Sequence, residues 1–137
     1  MTPTKKLMAL ATAVPGVVLG CALMLGWQVS AQTPRLKMVM RGKLDHSKNI
    51  LEAAVTSNWS QMAREASALQ QLTNDPAWVV LKMPEYVLER DQFLKAIEAV
   101  SAAASRRDLE EASTAIAALS TSCISCHQYL ARTRVAK

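Results

Sequence analysis

The sequence has few of the residues on which β-rich folds depend. It contains 4 glycines and 5 prolines in 137 residues, and aromatic residues make up 4% of the chain. So few turn residues exclude a β-sandwich or barrel, and the alanine-rich stretches favour helices instead. Hydrophobic residues make up 50% and charged residues 20%, which excludes a disordered chain. The length fits one domain.

Positive charge is in only slight excess. The formal net charge is +5, and Lys5 and Lys6 near the N-terminus supply two of these charges. No basic patch is interleaved with aromatic residues, so we expect no nucleic-acid partner.

The first 31 residues have the pattern of an export signal. Lys5 and Lys6 precede an uncharged run over residues 7–33, and Val29-Ser30-Ala31 has the small residues of a cleavage site. The sequence therefore predicts a signal peptide at 1–31, followed by one domain at 32–137. Alternatively, residues 7–29 could stay uncleaved as a membrane anchor, because about 20 apolar residues span a bilayer. In either case we expect the domain outside the cytoplasmic membrane, in the periplasm.

Cysteine is also rare, and two of the 3 cysteines stand together in Cys123-Ile124-Ser125-Cys126-His127. In an exported chain, C-x-x-C-H is the pattern of covalent haem attachment. The two thiols add to the two haem vinyl groups, and the imidazole binds the iron. Residues three and four apart share a helix face, so all three side chains can point at one haem. The sequence predicts one haem c bound through Cys123 and Cys126, with His127 as the proximal ligand.

Three other interpretations of the paired cysteines are weaker. A dithiol redox motif normally opens a helix after a strand, and no alternating β-branched run precedes Cys123. A zinc site needs further ligands, but His46 is the only other histidine and Cys21 lies in the leader. A disulfide between Cys123 and Cys126 would close too short a loop to add much stability.

Apolar residues at helical spacing predict four helices, at residues 35–56, 59–72, 84–105 and 109–133. Asn58 and Asp108 are the predicted N-caps of the second and fourth helices. The links between helices are short, which predicts an antiparallel up-down-up-down four-helix bundle. The predicted core face of the first helix contains Leu36, Met40, Leu44, Leu51 and Val55. That of the third helix contains Phe93, Ile97, Val100 and Ala104, and we expect the apolar loop at residues 77–83 to fold back onto the core.

This topology identifies a candidate for the distal side of the haem. The first helix would begin where the fourth ends, and Met40 and His127 would each lie roughly 8–9 Å from that shared end. Met40 is therefore the preferred distal ligand. Leu44, one turn further on, would instead leave the sixth position open. Met38 lies on another face, and we expect His46, in a polar stretch, to be a solvated surface residue.

These features resemble the class II c-type cytochromes, the cytochrome c′ family. The resemblance spans about residues 34–134 and rests on C-x-x-C-H near the C-terminus, with Asp108-Leu109 opening the last helix about fifteen residues earlier. It implies a four-helix bundle with covalent haem, in which a first-helix residue faces the iron. Methionine there implies six-coordinate iron and electron transfer. An apolar residue implies an open site for carbon monoxide or nitric oxide.

Two functions therefore remain open, an exported one-electron carrier and a gas-binding haem protein. We expect no enzyme, because no acid–base pair is evident beside the distal site. Expected partners are redox proteins of the cell envelope, and the resemblance adds a possible homodimer. Basic side chains are expected at the haem end, where they would meet the propionates or an acidic partner; they are Arg35, Lys37, Arg41, Arg132, Arg134 and Lys137.

Overall fold

A computed structural model describes the backbone of residues 14–79 and 81–133 and the side chains of residues 34–79 and 81–133. Over this part of the chain there are four α-helices and no strand, so the predicted all-α class is confirmed. The helices are α1 (Val14–Val55), α2 (Trp59–Leu72), α3 (Pro84–Arg106) and α4 (Leu109–Arg132). The chain divides into two compact units, Met1–Arg35 and Leu36–Lys137. The candidate site lies in the second unit.

The predicted helix boundaries are close for three helices and wrong for the first. Helix α2 has the predicted ends, and α3 and α4 each differ by a single residue at the C-terminus. Helix α1 begins at Val14 instead of residue 35 and contains Pro34. Proline removes only one backbone hydrogen bond and permits helix on both sides. Helix α1 continues through Pro34.

The predicted caps are present. Asn58 Oδ1 accepts a hydrogen bond from the backbone N–H of Gln61 at 3.1 Å, and Asp108 Oδ1 accepts one from Glu111 at 2.9 Å. Each satisfies a backbone donor that the first turn of its helix leaves without a partner. The two caps fix where α2 and α4 begin.

The core draws on all four helices and on the segment between α2 and α3. It is rich in alanine, which lets the helices approach closely. Its largest fully buried side chains are Trp78, Ile50, Met62, Leu69, Ile97, Leu119 and Val100. Phe93, Ile97 and Val100 lie on the predicted core face of α3, which is confirmed.

The predicted core face of α1 is wrong at its C-terminal end. Leu44 and Leu51 are each 52% exposed and Val55 is 77% exposed, whereas Ile50 and Ala53 are fully buried. Helix α1 carries apolar residues on two sides, so periodicity alone does not decide which side faces inward.

The segment that links α2 to α3 folds back onto the core, as its apolar sequence predicts. Trp78 is only 2% exposed, and its ring meets Phe93 edge-on at a centroid distance of 5.6 Å. The buried Tyr86 hydroxyl donates a hydrogen bond to the Trp78 carbonyl at 2.5 Å. These contacts build an aromatic wall beside α1.

Across residues 34–79 and 81–133, no helix is long and apolar enough to cross a membrane. The expected signal peptide or anchor at residues 1–31 lies outside the residues whose side chains are described, and it stays a prediction.

Candidate functional site

An open cavity of about 770 Å³ lies between α1, α3, α4 and the aromatic wall. Every residue that the sequence assigns to the haem site lines this cavity. They are Met40, Leu44, Cys123, Cys126 and His127. The residues that the sequence predicts for the haem site therefore lie together around one cavity.

The cysteine motif lies inside α4. Cys123 and Cys126 are half-buried free thiols, and His127 is exposed at the cavity wall. Ser125, between the two cysteines, donates a hydrogen bond to Glu89 Oε2 on α3 at 2.5 Å. This bond ties the motif to the neighbouring helix and fixes how the motif meets the cavity.

Both thiols lie in surroundings that favour their neutral form. Burial raises the pKa of Cys123 and of Cys126, and the Lys43 ammonium opposes this in each case. The thiolate is the form that attacks a disulfide. A raised thiol pKa therefore argues against a dithiol redox centre, as does the position of the motif within a helix.

Helix α1 contributes Met40 and Leu44 to the lining of the cavity. Met38 is 72% exposed and lies on another face, as predicted. The choice of Met40 assumed that the first helix begins at residue 35. This assumption is wrong, because α1 begins at Val14. Met40 and His127 nevertheless line the same cavity, and Leu44 lines it too.

His46 is not the solvated residue that its polar stretch predicts. Its Nδ1 lies 2.7 Å from Glu65 Oε2 on α2, and the side chain is 30% exposed. Asn49 donates to the same carboxylate oxygen at 3.1 Å. His46 therefore joins α1 to α2 and does not line the cavity.

Lys43 is a cavity residue that the sequence analysis missed. Its Nζ lies 3.8 Å from the ring centroid of Trp78 and 3.7 Å from that of Phe93. The pKa of Lys43 is lowered from 10.5 to about 8, mainly by burial. The Cys123 and Cys126 thiolates act in the opposite direction, and Arg90 makes a smaller contribution to the lowering.

Lysine normally marks a solvated helix face, which is why periodicity assigned no role to Lys43. The signal that could have identified it is its spacing. Lys43 follows Met40 by three residues and precedes Leu44 by one, so a helix that turns Met40 toward a haem turns Lys43 the same way.

Two of the expected basic residues, Lys37 and Arg41, line the cavity. Arg132 is exposed near the end of α4, and Arg35 belongs to the first compact unit. Arg134 and Lys137 lie outside the described residues. Within the described chain, no group of three or more histidine, cysteine and acidic side chains is placed to bind a metal ion.

No protein-family model, no curated protein and no solved structure matches this chain.

Proposed function

We propose that this chain is an exported c-type cytochrome that carries one electron. Its haem is attached through Cys123 and Cys126, with His127 as the proximal ligand and Met40 as the distal ligand. The observation that carries the proposal is the cavity, because its walls contain both cysteines, the histidine and the methionine.

The cavity fits a haem in size and chemistry. Cofactor cavities are typically about 300–1,000 Å³ and mostly apolar, and this one measures about 770 Å³. Leu44, Trp78, Phe93 and Leu119 supply an apolar lining suited to a porphyrin. Lys37 and Arg41 supply cations that can pair with propionates or attract an acidic redox partner.

The haem would supply a one-electron iron couple, and residues of the chain would set its reduction potential. The His127 imidazole binds the iron in both oxidation states. A methionine thioether favours reduced iron and so raises the reduction potential. The apolar walls exclude water from the iron, while the open side of the cavity lets a partner approach the haem edge.

The resemblance to the cytochrome c′ family extends this proposal to topology and location. Residues 56–58 link α1 to α2, and residues 107–108 link α3 to α4. Such short links favour antiparallel neighbours and hence an up-down-up-down bundle. Export to the periplasm, a membrane tether through residues 7–29, redox partners of the cell envelope and a homodimer remain predictions.

Haem attachment is tested by producing the full chain together with haem-maturation machinery and staining a denaturing gel for haem. We expect stain in the wild-type chain and its loss in Cys123→Ala and in Cys126→Ala. Cys21→Ala is the matched control, a cysteine outside the motif, and should keep the stain. Normal covalent haem in both motif variants would refute attachment.

The distal ligand is tested by optical spectra of the reduced, haem-loaded protein, recorded with and without carbon monoxide. We expect a low-spin wild type that ignores the gas, and a high-spin Met40→Ala variant at neutral pH that binds it. Met38→Ala is the control, because Met38 is an exposed methionine on the same helix. An unchanged spectrum in Met40→Ala would exclude Met40.

A second function has support from one observation. Leu44 lines the same wall as Met40, so a haem placed one turn higher would meet an apolar residue. The iron would then be five-coordinate, and the protein would bind carbon monoxide or nitric oxide. A high-spin wild-type spectrum that shifts with carbon monoxide would favour this alternative.

A further inference from the structure

The Lys43 side chain has an environment that is unusual for a lysine. Its ammonium lies on the faces of Trp78 and Phe93, in the cavity that contains the cysteine motif. Within the described chain, Lys43 forms no ion pair with a carboxylate. Glu89, the acidic residue on the cavity wall, accepts its hydrogen bond from Ser125.

This arrangement is costly for a cation. Lys43 is half-buried with no paired carboxylate, whereas lysine side chains are mostly exposed. Contact with aromatic faces returns only part of the free energy that removing a cation from water costs. Residues that break a local rule in this way tend to occur at functional sites.

Helix geometry brings the Lys43 amine back toward the level of Met40. The backbone position of Lys43 is about 4.5 Å further along α1. Helical side chains lean toward the N-terminus of their own helix, and a long side chain covers the preceding turn. The amine can therefore serve the same face of a haem as the Met40 thioether.

We propose that Lys43 is a second distal ligand, whose amine replaces Met40 on the oxidised haem iron once it has lost its proton. This inference rests on the proposed haem attachment and deepens it. Protonated, the side chain stays on the faces of Trp78 and Phe93. Deprotonated, it presents a nitrogen lone pair to the iron.

The replacement of Met40 by Lys43 involves no change in the oxidation state of the iron. The Lys43 ammonium gives one proton to solvent, a bond forms between Nζ and ferric iron, and the bond between iron and the Met40 sulfur breaks. A nitrogen donor suits ferric iron, whereas the softer thioether suits ferrous iron. We therefore expect the exchange in the oxidised protein, with Met40 retained on reduction.

The charged and titratable groups around the cavity favour a neutral amine in the loaded protein. Burial and Arg90 lower the pKa of Lys43, while the two thiolates raise it. Haem attachment turns both thiols into uncharged thioethers and so removes the groups that raise it. The titratable and charged groups on the surrounding elements are Lys37 and Arg41 of α1, Tyr86, Glu89 and Arg90 of α3, and Cys123, Cys126 and His127 of α4.

The test is a pH titration of the oxidised, haem-loaded protein from about pH 6 to about pH 10, a range that spans the lowered pKa. The methionine-to-iron charge-transfer band in the near infrared and the low-spin electron paramagnetic resonance signal report the ligand. The proteins are wild type, Lys43→Gln, Lys43→Arg and the control Lys37→Gln, a second lysine of the same cavity wall.

We expect the wild type to lose the methionine band as pH rises while it stays low-spin. Lys37→Gln should do the same, and both Lys43 variants should keep the band throughout. Lys43→Arg matters most, because arginine keeps the cation for the aromatic faces and for a propionate but does not deprotonate in proteins. It therefore separates iron ligation from a charge effect, and it covers the case in which Lys43→Gln does not fold.

Met40→Ala supplies an independent readout. Its oxidised form should become low-spin at high pH, and the further change Lys43→Gln should keep it high-spin at every pH. A wild type that never loses the methionine band, or the same transition in Lys43→Arg, would overturn the inference and leave haem attachment intact. A wild type without covalent haem would instead overturn the proposed function, and this inference with it.

Discussion

Glu65 is a residue whose ionisation stabilises the contact between two helices. Its carboxylate accepts hydrogen bonds from His46 and Asn49 of α1, at 2.7 and 3.1 Å. The bond from His46 is the main reason why the pKa of Glu65 lies below its usual value. A carboxyl group with a lowered pKa stabilises the fold above its unfolded-state pKa, and this contribution disappears as pH falls through the folded-state value.

We therefore predict that the coupling between His46 and Glu65 is lost in acid. A double-mutant cycle with His46→Ala and Glu65→Gln, followed by urea unfolding, should give up to about 1 kcal/mol near neutral pH, the upper range for partly exposed pairs. The coupling should disappear as pH falls through the lowered pKa of Glu65, which lies below the ordinary range of glutamate. A coupling energy that stays constant with pH would contradict this assignment.

At the level of single residues, the sequence indicated which residues lie together at the candidate site, but it did not indicate the electrostatic environment of those residues. C-x-x-C-H identifies Cys123, Cys126 and His127 through spacing alone, and the structure places all three on one cavity wall. The sequence does not show that Lys43 lies on two aromatic faces, because Trp78 reaches it from a distant segment. For the same reason His46 was assigned to solvent, since its partner Glu65 lies on another helix.

Two tight connections between helices depend on unusual backbone conformations. Arg107 ends α3 with φ 55° and ψ 40°, the left-handed region, and Ser57 has φ 52°. For residues with a Cβ atom this conformation costs roughly 1–2 kcal/mol. The sharp turn between α3 and α4 places Asp108 at the N-cap of α4, so the strain at Arg107 sets the start of the helix that carries the motif.

Arg107→Gly should stabilise the protein. The relief of left-handed strain, roughly 1–2 kcal/mol, exceeds the backbone entropy cost of glycine, roughly 0.5–1 kcal/mol. We expect the free energy of unfolding to rise by about 0.5–1 kcal/mol in urea. The matched control is Ala99→Gly at an exposed position inside α3, which should lower it by about 0.5–1 kcal/mol. Equal losses in both variants would show that Arg107 is not strained.

The cap of α4 is a second element on which the motif depends. Asp108 Oδ1 satisfies the Glu111 N–H, and its charge lies at the positive end of the helix. We predict that Asp108→Ala lowers the free energy of unfolding by about 1 kcal/mol. Asp108→Ser, which keeps an oxygen acceptor, should recover most of the loss. Urea denaturation of the loaded protein measures the free energy of unfolding of both variants. Equal losses in Asp108→Ala and Asp108→Ser would show that the cap hydrogen bond does not contribute to stability.

Helix ends were predictable where a capping residue determines them, and helix faces were predictable where only one side is apolar. Asn58 and Asp108 therefore gave the starts of α2 and α4, and Phe93 and Ile97 gave the inner face of α3. Helix α1 met neither condition. It continues through Pro34, and because it has apolar residues on two sides, periodicity did not show that Leu51 is exposed and Ile50 buried.

For the whole molecule, we expect folding and the proposed haem binding to be linked. The cavity is open, and Leu44, Trp78, Phe93 and Leu119 give it an apolar lining. Apolar side chains stabilise a fold to the extent that they are removed from water. A bound haem would cover this lining, whereas without haem the lining meets water or the walls rearrange.

We predict that haem-free chain, produced without maturation machinery, keeps helical far-ultraviolet circular dichroism but loses a cooperative thermal transition. The loaded protein should melt cooperatively, because the haem would cover the apolar walls of the cavity and is attached to α4 at two positions. Scanning calorimetry of the haem-free and haem-loaded chains measures the difference. A haem-free chain that melts as sharply and at the same temperature as the loaded protein would show that the cavity walls are stable alone, and that the haem contributes function without contributing to the core.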